Sequence, residues 1–149
     1  MKYIVYPIHF DSRFRLFWKK EMMIDSKRKV LIVEDSVSFR QLLKETLLSR
    51  FPTMEVQEAG DGGEALKRVA AFSPDLVVVD IQLPGENGLD LTKRLKAEYP
   101  NLKVIVLTMY DTPEYREAAH QSRADYFISK GSSTKEEILA LIKSLLSQA

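Results

Sequence analysis

Five short, mostly apolar runs alternate with five longer segments whose apolar residues recur at helical spacing. The most apolar runs, rich in leucine, isoleucine and valine, are typical of strands buried on both faces of a parallel sheet. The predicted strands are Lys29–Val33, Met54–Glu58, Asp75–Val79, Lys103–Leu107 and Tyr126–Ser129. The predicted helices are Ser36–Arg50, Gly63–Phe72, Leu89–Tyr99, Thr112–Gln121 and Ser133–Leu146.

This alternation with short loops predicts an α/β fold, a doubly wound five-stranded parallel sheet with helices on both faces. We expect the strand order 2-1-3-4-5. Ser36 is the expected N-cap of the first helix, and the Pro113 that follows Thr112 suits the first turn of the fourth. The 149 residues and 45% hydrophobic content suit a single core, which we assign to residues 26–149.

Residues 1–25 do not follow the alternating pattern. They are rich in aromatic residues and carry five lysines or arginines against three acidic residues. Three interpretations are open: a docking or membrane-touching segment, an additional helix packed on the domain, or translation from a start codon upstream of Met22 or Met23. We therefore treat them as an N-terminal extension, either disordered or a start-site artefact.

Composition excludes several classes of function. The chain has no cysteine, so disulfides and thiolate metal sites are excluded, and His9 and His120 are too far apart in sequence to indicate a zinc cluster. A net charge of +1 with mixed signs gives no electrostatic case for nucleic acid or a membrane surface. No apolar stretch approaches the length of a bilayer span, and no signal peptide is evident. We expect a cytoplasmic protein that does not bind nucleic acid directly.

Chemically reactive side chains follow four of the predicted strands. Glu34 and Asp35 follow the first strand, Asp80 the third, Thr108 the fourth and Lys130 the fifth. With the order 2-1-3-4-5, these carboxyl ends meet at one edge of the sheet, where open α/β folds bind ligands. Clustered carboxylates repel one another, so they indicate a bound cation, and oxygen ligands suit Mg²⁺.

The remaining residue types suit a phosphate. An ammonium such as that of Lys130 neutralises phosphate, and a hydroxyl such as that of Thr108 donates a hydrogen bond to it. A carboxylate can be the nucleophile of phosphoryl transfer, and Asp80, on the most buried strand, fits that role best. No glycine-rich phosphate loop is present to support nucleotide hydrolysis.

Four motifs in this order and spacing resemble the receiver domain of two-component response regulators over about residues 27–147. They are Val-Leu-Ile-Val-Glu34-Asp35, Asp80-Ile-Gln-Leu-Pro-Gly-Glu-Asn-Gly88, Val-Leu-Thr108 and Phe127-Ile-Ser-Lys130. The resemblance implies a flavodoxin-like, chemotaxis-regulator-like fold in which Asp80 accepts a phosphoryl group from a histidine kinase or phosphotransfer protein.

The same resemblance implies roles for the surrounding residues. Mg²⁺ or Mn²⁺ is held by Glu34, Asp35, Asp80 and the main-chain carbonyl of Gln82. Thr108 and Lys130 contact the phosphate. Phe127 stands at the position of the aromatic switch residue.

Among the residues that depart from the usual pattern of the family are Phe127, Gly131, Arg123 and Met109, which follows Thr108 where a small residue is common. Phe127 lacks the hydroxyl of the tyrosine often found at the switch position. Gly131 follows Lys130 in place of proline, so no cis-proline is expected there. Arg123 stands where glycine is usual, which puts the local turn in doubt. The segment from Leu107 to Tyr115, with Lys130-Gly131, looks most like receivers of LuxR/FixJ-type transcriptional regulators.

The resulting hypothesis is a stand-alone receiver that modifies itself rather than an enzyme with an external substrate. It signals to a downstream protein through the 112–121 helix, the 126–129 strand and the 133–146 helix, and phosphorylation-dependent dimerisation is compatible with it. Two alternatives are the receiver part of a transcriptional regulator and a constitutively binding pseudo-receiver. A further alternative is an aspartate-nucleophile phosphatase. Such an enzyme needs a general acid two residues after the nucleophile, and Gln82 at that position cannot donate a proton in this way.

Overall fold

The computed structural model describes residues 27–147, in which five strands alternate with five helices. The predictions for residues 1–25 therefore lie outside the described residues. The strands are β1 Lys29–Val33, β2 Glu55–Ala59, β3 Leu76–Val79, β4 Lys103–Thr108 and β5 Tyr126–Ser129. The helices are α1 Val37–Arg50, α2 Gly62–Phe72, α3 Gly88–Glu98, α4 Pro113–Gln121 and α5 Lys135–Leu146.

The strands form one parallel sheet of order β2-β1-β3-β4-β5. In its register, Val33 pairs with Val79, and Thr108 pairs with Ser129. The central strands β1, β3 and β4 end close together at one edge of the sheet. The predicted doubly wound fold and its strand order are confirmed.

Two hydrophobic clusters hold the helices on the two faces of the sheet. On one face, alternate residues of β1, β3 and β4 pack with α2, α3 and α4, through side chains such as Val69, Leu95 and Ala119. On the other face, the intervening residues pack with α1 and α5, through side chains such as Leu47 and Ile142. Because both faces are covered, the strands need apolar residues at every position, as their sequences have.

Polar caps set where several helices begin. The Ser36 hydroxyl accepts a hydrogen bond from Phe39 N at 3.4 Å, which confirms the predicted cap of α1. The predicted start of α5 was two residues early, because Thr134 is its N-cap and accepts from Glu137 N at 3.1 Å. None of the helices in residues 27–147 is long and apolar enough to cross a membrane.

Candidate functional site

The predicted site residues meet at the carboxyl edge of the sheet. Because Val33 and Val79 are paired in register, Glu34 and Asp80 emerge from neighbouring strands side by side. One carboxylate oxygen from each of Glu34, Asp35 and Asp80 lies within 4.8 Å of the other two. The sheet topology therefore brings together three acidic groups that are separated by up to 46 positions in the sequence.

Lys130 neutralises part of this acidic cluster. Its Nζ donates to Glu34 Oε2 at 2.8 Å and to Asp80 Oδ2 at 2.9 Å. The ammonium also lies 4.0 Å from the centre of the Phe39 ring, and its side chain is only 10% exposed. Its main-chain N–H donates to Thr108 O at 2.8 Å, which ties the β5–α5 loop to the end of β4. A buried ammonium requires such partners, so Lys130 is held in the site.

The two buried carboxyl groups differ in their proton affinity. Burial raises the pKa of Glu34 above its usual value, and the hydrogen bond from Lys130 offsets this only in part. Burial also acts to raise the pKa of Asp80, but its hydrogen bonds, chiefly from Lys130, hold the pKa below its usual value. The pKa of Lys130 is raised because its hydrogen bonds to both carboxylates outweigh burial. Of the two carboxyl groups, Asp80 is therefore the one whose ionised form the site favours.

The donor set fits a small divalent cation. Oδ1 of Asp80 is buried and has no hydrogen-bond partner among residues 27–147. A buried carboxylate oxygen without a donor is costly, and a cation would satisfy it. Glu34 is buried beside it, whereas Asp35 is exposed and opens the cluster to solvent. All three side chains offer oxygen ligands, the type that Mg²⁺ prefers.

Beyond Asp80, the edge of the site is formed by the loops that follow β3 and β4, and Tyr110 links these two loops. Thr108 is fully buried, and its hydroxyl accepts a hydrogen bond from Tyr110 N at 3.2 Å. The Tyr110 hydroxyl donates to the side-chain oxygen of Gln82 across the site. Nothing in the described contacts fixes a role for the main-chain carbonyl of Gln82, so its part in metal binding stays a prediction.

Phe127 lies apart from the carboxylates, on the edge strand β5. Its half-buried ring packs on the cluster that holds α2, α3 and α4, and the Arg116 guanidinium lies 5.0 Å from its centre. Tyr126 precedes it and is 47% exposed, whereas Ile128 packs on the opposite face of the sheet with α1 and α5. The switching role of Phe127 stays a prediction.

Two residues of α1 reach the site and were missed from the sequence. Phe39 covers the Lys130 ammonium, and Arg40 Nη1 donates to the main-chain carbonyl of Glu34 at 2.6 Å. The available signal was their position one turn after the N-cap Ser36. Helical side chains point back toward the helix N-terminus, so this turn leans over the β1–α1 loop.

Comparisons with known proteins agree with this fold. Residues 30–143 match the model of the response regulator receiver domain. The chain is 34% identical over 112 residues to the probable transcriptional regulatory protein TcrX of Mycobacterium tuberculosis, covering 75% of this chain and 47% of TcrX. It is 32% identical over 114 residues to the oxygen regulatory protein NreC of Staphylococcus haemolyticus, covering 76% of this chain and 52% of NreC.

A solved CheY-like receiver domain from Methanospirillum hungatei has a TM-score of 0.75 and 28% identity, covering 83% of this chain and 96% of that structure. Against TcrX and NreC, this chain spans about half of the relative's length, so the similarity concerns the receiver module alone. The resemblance predicted from the four motifs is confirmed. The chain belongs to the response regulator receiver domain family of two-component systems.

Proposed function

We propose that Asp80 accepts a phosphoryl group from a phosphohistidine of a kinase or phosphotransfer protein. One observation carries the proposal: Asp80 is buried and ionised, it is paired with Lys130 at 2.9 Å, and its second oxygen has no partner among the described residues. A structural carboxylate would have both oxygens satisfied by donors. The arrangement instead leaves one oxygen for a cation or an incoming group.

In the proposed reaction, a carboxylate oxygen of Asp80 forms a bond to phosphorus as the bond between phosphorus and the donor nitrogen breaks. The product is an acyl phosphate on Asp80, and the electron pair of the broken bond returns to the imidazole of the donor. Lys130, already held by Glu34 and Asp80, stabilises charge on the phosphoryl oxygens. In this proposal Thr108, at the end of β4, contacts the phosphoryl group.

Glu34, Asp35 and Asp80 would hold Mg²⁺ or Mn²⁺, with the Gln82 main-chain carbonyl as a further ligand. A bound ion would supply positive charge that offsets the charge of the phosphoryl oxygens. The protein residues hold the site in place before the donor arrives, and such positioning, together with electrostatic stabilisation, accounts for most of the acceleration in phosphoryl transfer. In this proposal the domain assists the phosphorylation of its own Asp80. Asp80 is therefore a phosphoacceptor, and the domain does not turn over an external substrate.

We propose that the phosphorylated state is recognised by a downstream protein on the surface of α4, β5 and α5. Support comes from β5, which is an edge strand, and from Tyr126, which exposes 47% of its surface there. In this proposal the module signals alone, or with a second copy, through protein contacts. A receiver acting on an attached output domain is the second candidate, because TcrX is described as a transcriptional regulatory protein and this chain matches about half of it.

Mass spectrometry of the intact protein tests the chemistry. We expect acetyl phosphate with Mg²⁺ to add one phosphoryl group to the wild-type chain, and none to Asp80→Asn. Asp90→Asn is the matched control, because Asp90 is an exposed acidic residue in the first turn of α3 and is not one of the three carboxylates of the cluster. Absence of labelling in the wild type, or equal labelling of Asp80→Asn, would exclude the proposal.

Sedimentation velocity of the labelled protein separates signalling through a second copy of this chain from signalling through a different protein. A dimer that forms only after labelling supports signalling by the module with a second copy. A protein that stays monomeric after labelling indicates that a different protein binds the α4–β5–α5 surface. Phosphorylation-dependent cross-linking through a probe at Tyr126 would identify that protein.

A further inference from the structure

We propose that Arg40 is a positioning residue of the metal site, an inference that rests on the proposed function. It would fix the main chain between Glu34 and Asp35 and thereby aim the Asp35 carboxylate into the acidic cluster. Arg40 itself touches neither a carboxylate of the cluster nor the proposed nucleophile through any described hydrogen bond.

The guanidinium of Arg40 joins three elements. Its Nη1 donates to the main-chain carbonyl of Glu34 at 2.6 Å, and its Nε donates to Glu58 Oε1 at 3.1 Å. Arg40 is on α1, Glu34 follows β1, and Glu58 is on β2. The side chain is only 17% exposed. A planar, forked guanidinium can make both bonds at once with a fixed geometry, which a lysine cannot.

The bond to Glu34 O acts on Asp35 because the two residues share that peptide group. The nitrogen side of Glu34 is already fixed, since its N–H donates to Ala59 O at 3.0 Å. Its side chain is fixed by Ser36 N at 3.1 Å and by Lys130 at 2.8 Å. Arg40 completes the set by fixing the carbonyl, and hence the plane of the peptide that carries Asp35.

Asp35 depends on this main-chain support more than its neighbours do. It is exposed, and no hydrogen bond to its carboxylate is found among the described contacts, yet one of its oxygens lies within 4.8 Å of oxygens of Glu34 and Asp80. A side chain that lacks its own anchors is oriented by its backbone. Residues that orient metal ligands without touching the ion commonly change metal affinity by about 10- to 100-fold when removed.

The positive charge of Arg40 is balanced by Glu58 on β2, which is not one of the three carboxylates of the cluster. A guanidinium beside three metal ligands would by itself repel a divalent cation. Glu58, 27% exposed, pairs with Arg40 and also with Lys44 Nζ at 3.3 Å. Positioning and charge therefore make opposite predictions for removal of Arg40: loss of positioning weakens metal binding, whereas loss of a nearby positive charge strengthens it.

Binding of Mn²⁺ alone, followed by electron paramagnetic resonance, distinguishes the two effects. We expect Arg40→Gln to weaken Mn²⁺ binding about tenfold or more, by the ligand-orienting effect. Arg40→Lys keeps the charge but loses the planar guanidinium that bonds Glu34 O and Glu58 together, and we expect it to weaken Mn²⁺ binding as well. Arg50→Gln is the matched control, because it removes an equal charge from the last residue of the same helix, where Arg50 is exposed and lies against the Phe51 ring. We expect its Mn²⁺ affinity to equal that of the wild type.

The rate of labelling by acetyl phosphate gives a second readout that a loss of fold would not imitate. Arg40→Gln should need a higher Mg²⁺ concentration for its half-maximal rate, yet reach the wild-type rate at saturating Mg²⁺, since Asp80, Thr108 and Lys130 remain. Thermal unfolding with a chelator present checks that the variant is folded. If Arg40→Gln does not fold, Arg40→Lys, which keeps the charge and cannot make both hydrogen bonds in the same geometry, provides the same comparison.

Unchanged or tighter Mn²⁺ binding in the folded Arg40 variants would overturn this role for Arg40 while leaving the proposed function intact. A wild-type protein that binds no Mn²⁺ would instead overturn the proposed metal site itself. A wild type that binds Mn²⁺ but is not labelled would overturn the phosphoacceptor role alone.

Discussion

Gly88 lies against the main chain of Asp80, with no space for a side chain between them. A Cβ atom placed on Gly88 would fall well inside van der Waals contact with the Asp80 carbonyl oxygen and 3.0 Å from Ile81 Cα. The Gly88 N–H donates to Ile81 O at 2.7 Å, which closes the β3–α3 loop. The first residue of α3 therefore fixes the backbone that carries the proposed phosphoacceptor.

Gly88→Ala should move the Asp80 main chain or the start of α3. Overpacking of this kind costs about 1 to 3 kcal/mol of stability. We also expect slower labelling of Asp80 by acetyl phosphate at saturating Mg²⁺, because the carboxylate is displaced. Gly63→Ala on α2 is the control: its Cβ would meet only Asp61 Oδ1, at an ordinary 3.5 Å. Chemical denaturation and labelling that do not distinguish the two variants would contradict the contact.

Metal binding should depend on pH through Glu34. Burial raises the pKa of this carboxyl above 4.5, and a cation can bind its oxygen fully only after the proton has left. Mg²⁺ affinity should therefore increase as pH rises above 4.5 through the raised pKa. Calorimetric titration of Mg²⁺ at several pH values measures this, and Glu34→Gln, which imitates the protonated form, should bind Mg²⁺ weakly at every pH.

The metal-free protein should show the matching change in stability. Because the folded pKa of Glu34 is raised, its contribution to stability is fully present below 4.5 and is lost as pH rises through the folded value. Asp80 has the opposite sign: its lowered pKa contributes stability above 3.8 that is lost as pH falls. Thermal unfolding of the metal-free protein should therefore show a loss of stability as pH rises above 4.5. Excess Mg²⁺ should reverse this loss, and Glu34→Gln should remove it.

Lys96 anchors the opposite end of the sheet and should matter for stability alone. Its largely buried Nζ donates to Leu102 O at 2.7 Å and to Asp125 Oδ2 at 3.1 Å. The same Asp125 oxygen accepts from Val104 N at 2.8 Å, so the network joins α3 to β4 and the start of β5.

Lys96→Met leaves Asp125 and Leu102 O short of a donor, which should cost about 1 to 3 kcal/mol of unfolding free energy. Lys93→Met is the control, since Lys93 is exposed on the same helix. Urea denaturation compares the two variants. Equal stabilities would mean that water replaces the lost donor without cost, and a changed Mg²⁺ requirement for labelling would mean that Lys96 acts on the distant site.

The part of the site that follows from strand order could be predicted from the sequence. Asp80 and Lys130 were identified because parallel strands end at one edge, and this holds whatever rotamers the side chains adopt. The start of α5 was predicted two residues early because Ser133 and Thr134 both carry a hydroxyl that can cap a helix. Only the three-dimensional path of the loop decides which of them reaches Glu137 N.

Contacts to the main chain could not be predicted in the same way. The hydrogen bond from Arg40 to Glu34 O cannot be recognised from the residue type at position 34, because every residue has a main-chain carbonyl.

The backbone conformation of Arg123 could not be predicted either. Its backbone adopts φ +67°, the left-handed conformation that favours glycine, and Arg123 N still donates to His120 O at 3.0 Å. The turn between α4 and β5 therefore survives the substitution, since the packing of both elements outweighs a local preference.

Arg116 holds Phe127 in its present environment from α4. The guanidinium lies 5.0 Å from the ring centre, and its Nε donates to Asp111 Oδ1 at 2.5 Å. The hydrogen bond from Arg116 holds the pKa of Asp111 below its usual value, so this pair stays charged. If Phe127 rearranges on phosphorylation, as its position in the family implies, the stacked guanidinium stabilises the unphosphorylated arrangement.

Arg116→Gln should therefore increase the rate at which acetyl phosphate labels Asp80. A cation–π contact contributes about 0.5 to 1 kcal/mol at an exposed site, so removing it shifts the balance of the two states by about two- to fivefold. Arg50→Gln is the matched control, since Arg50 lies 5.2 Å from the Phe51 ring at the far end of α1. Labelling rates, with NMR of the Phe127 ring before and after labelling, measure the effect. Equal rates for the two variants, or a Phe127 ring whose signals do not change on labelling, would show that this residue does not switch and that Arg116 only covers it.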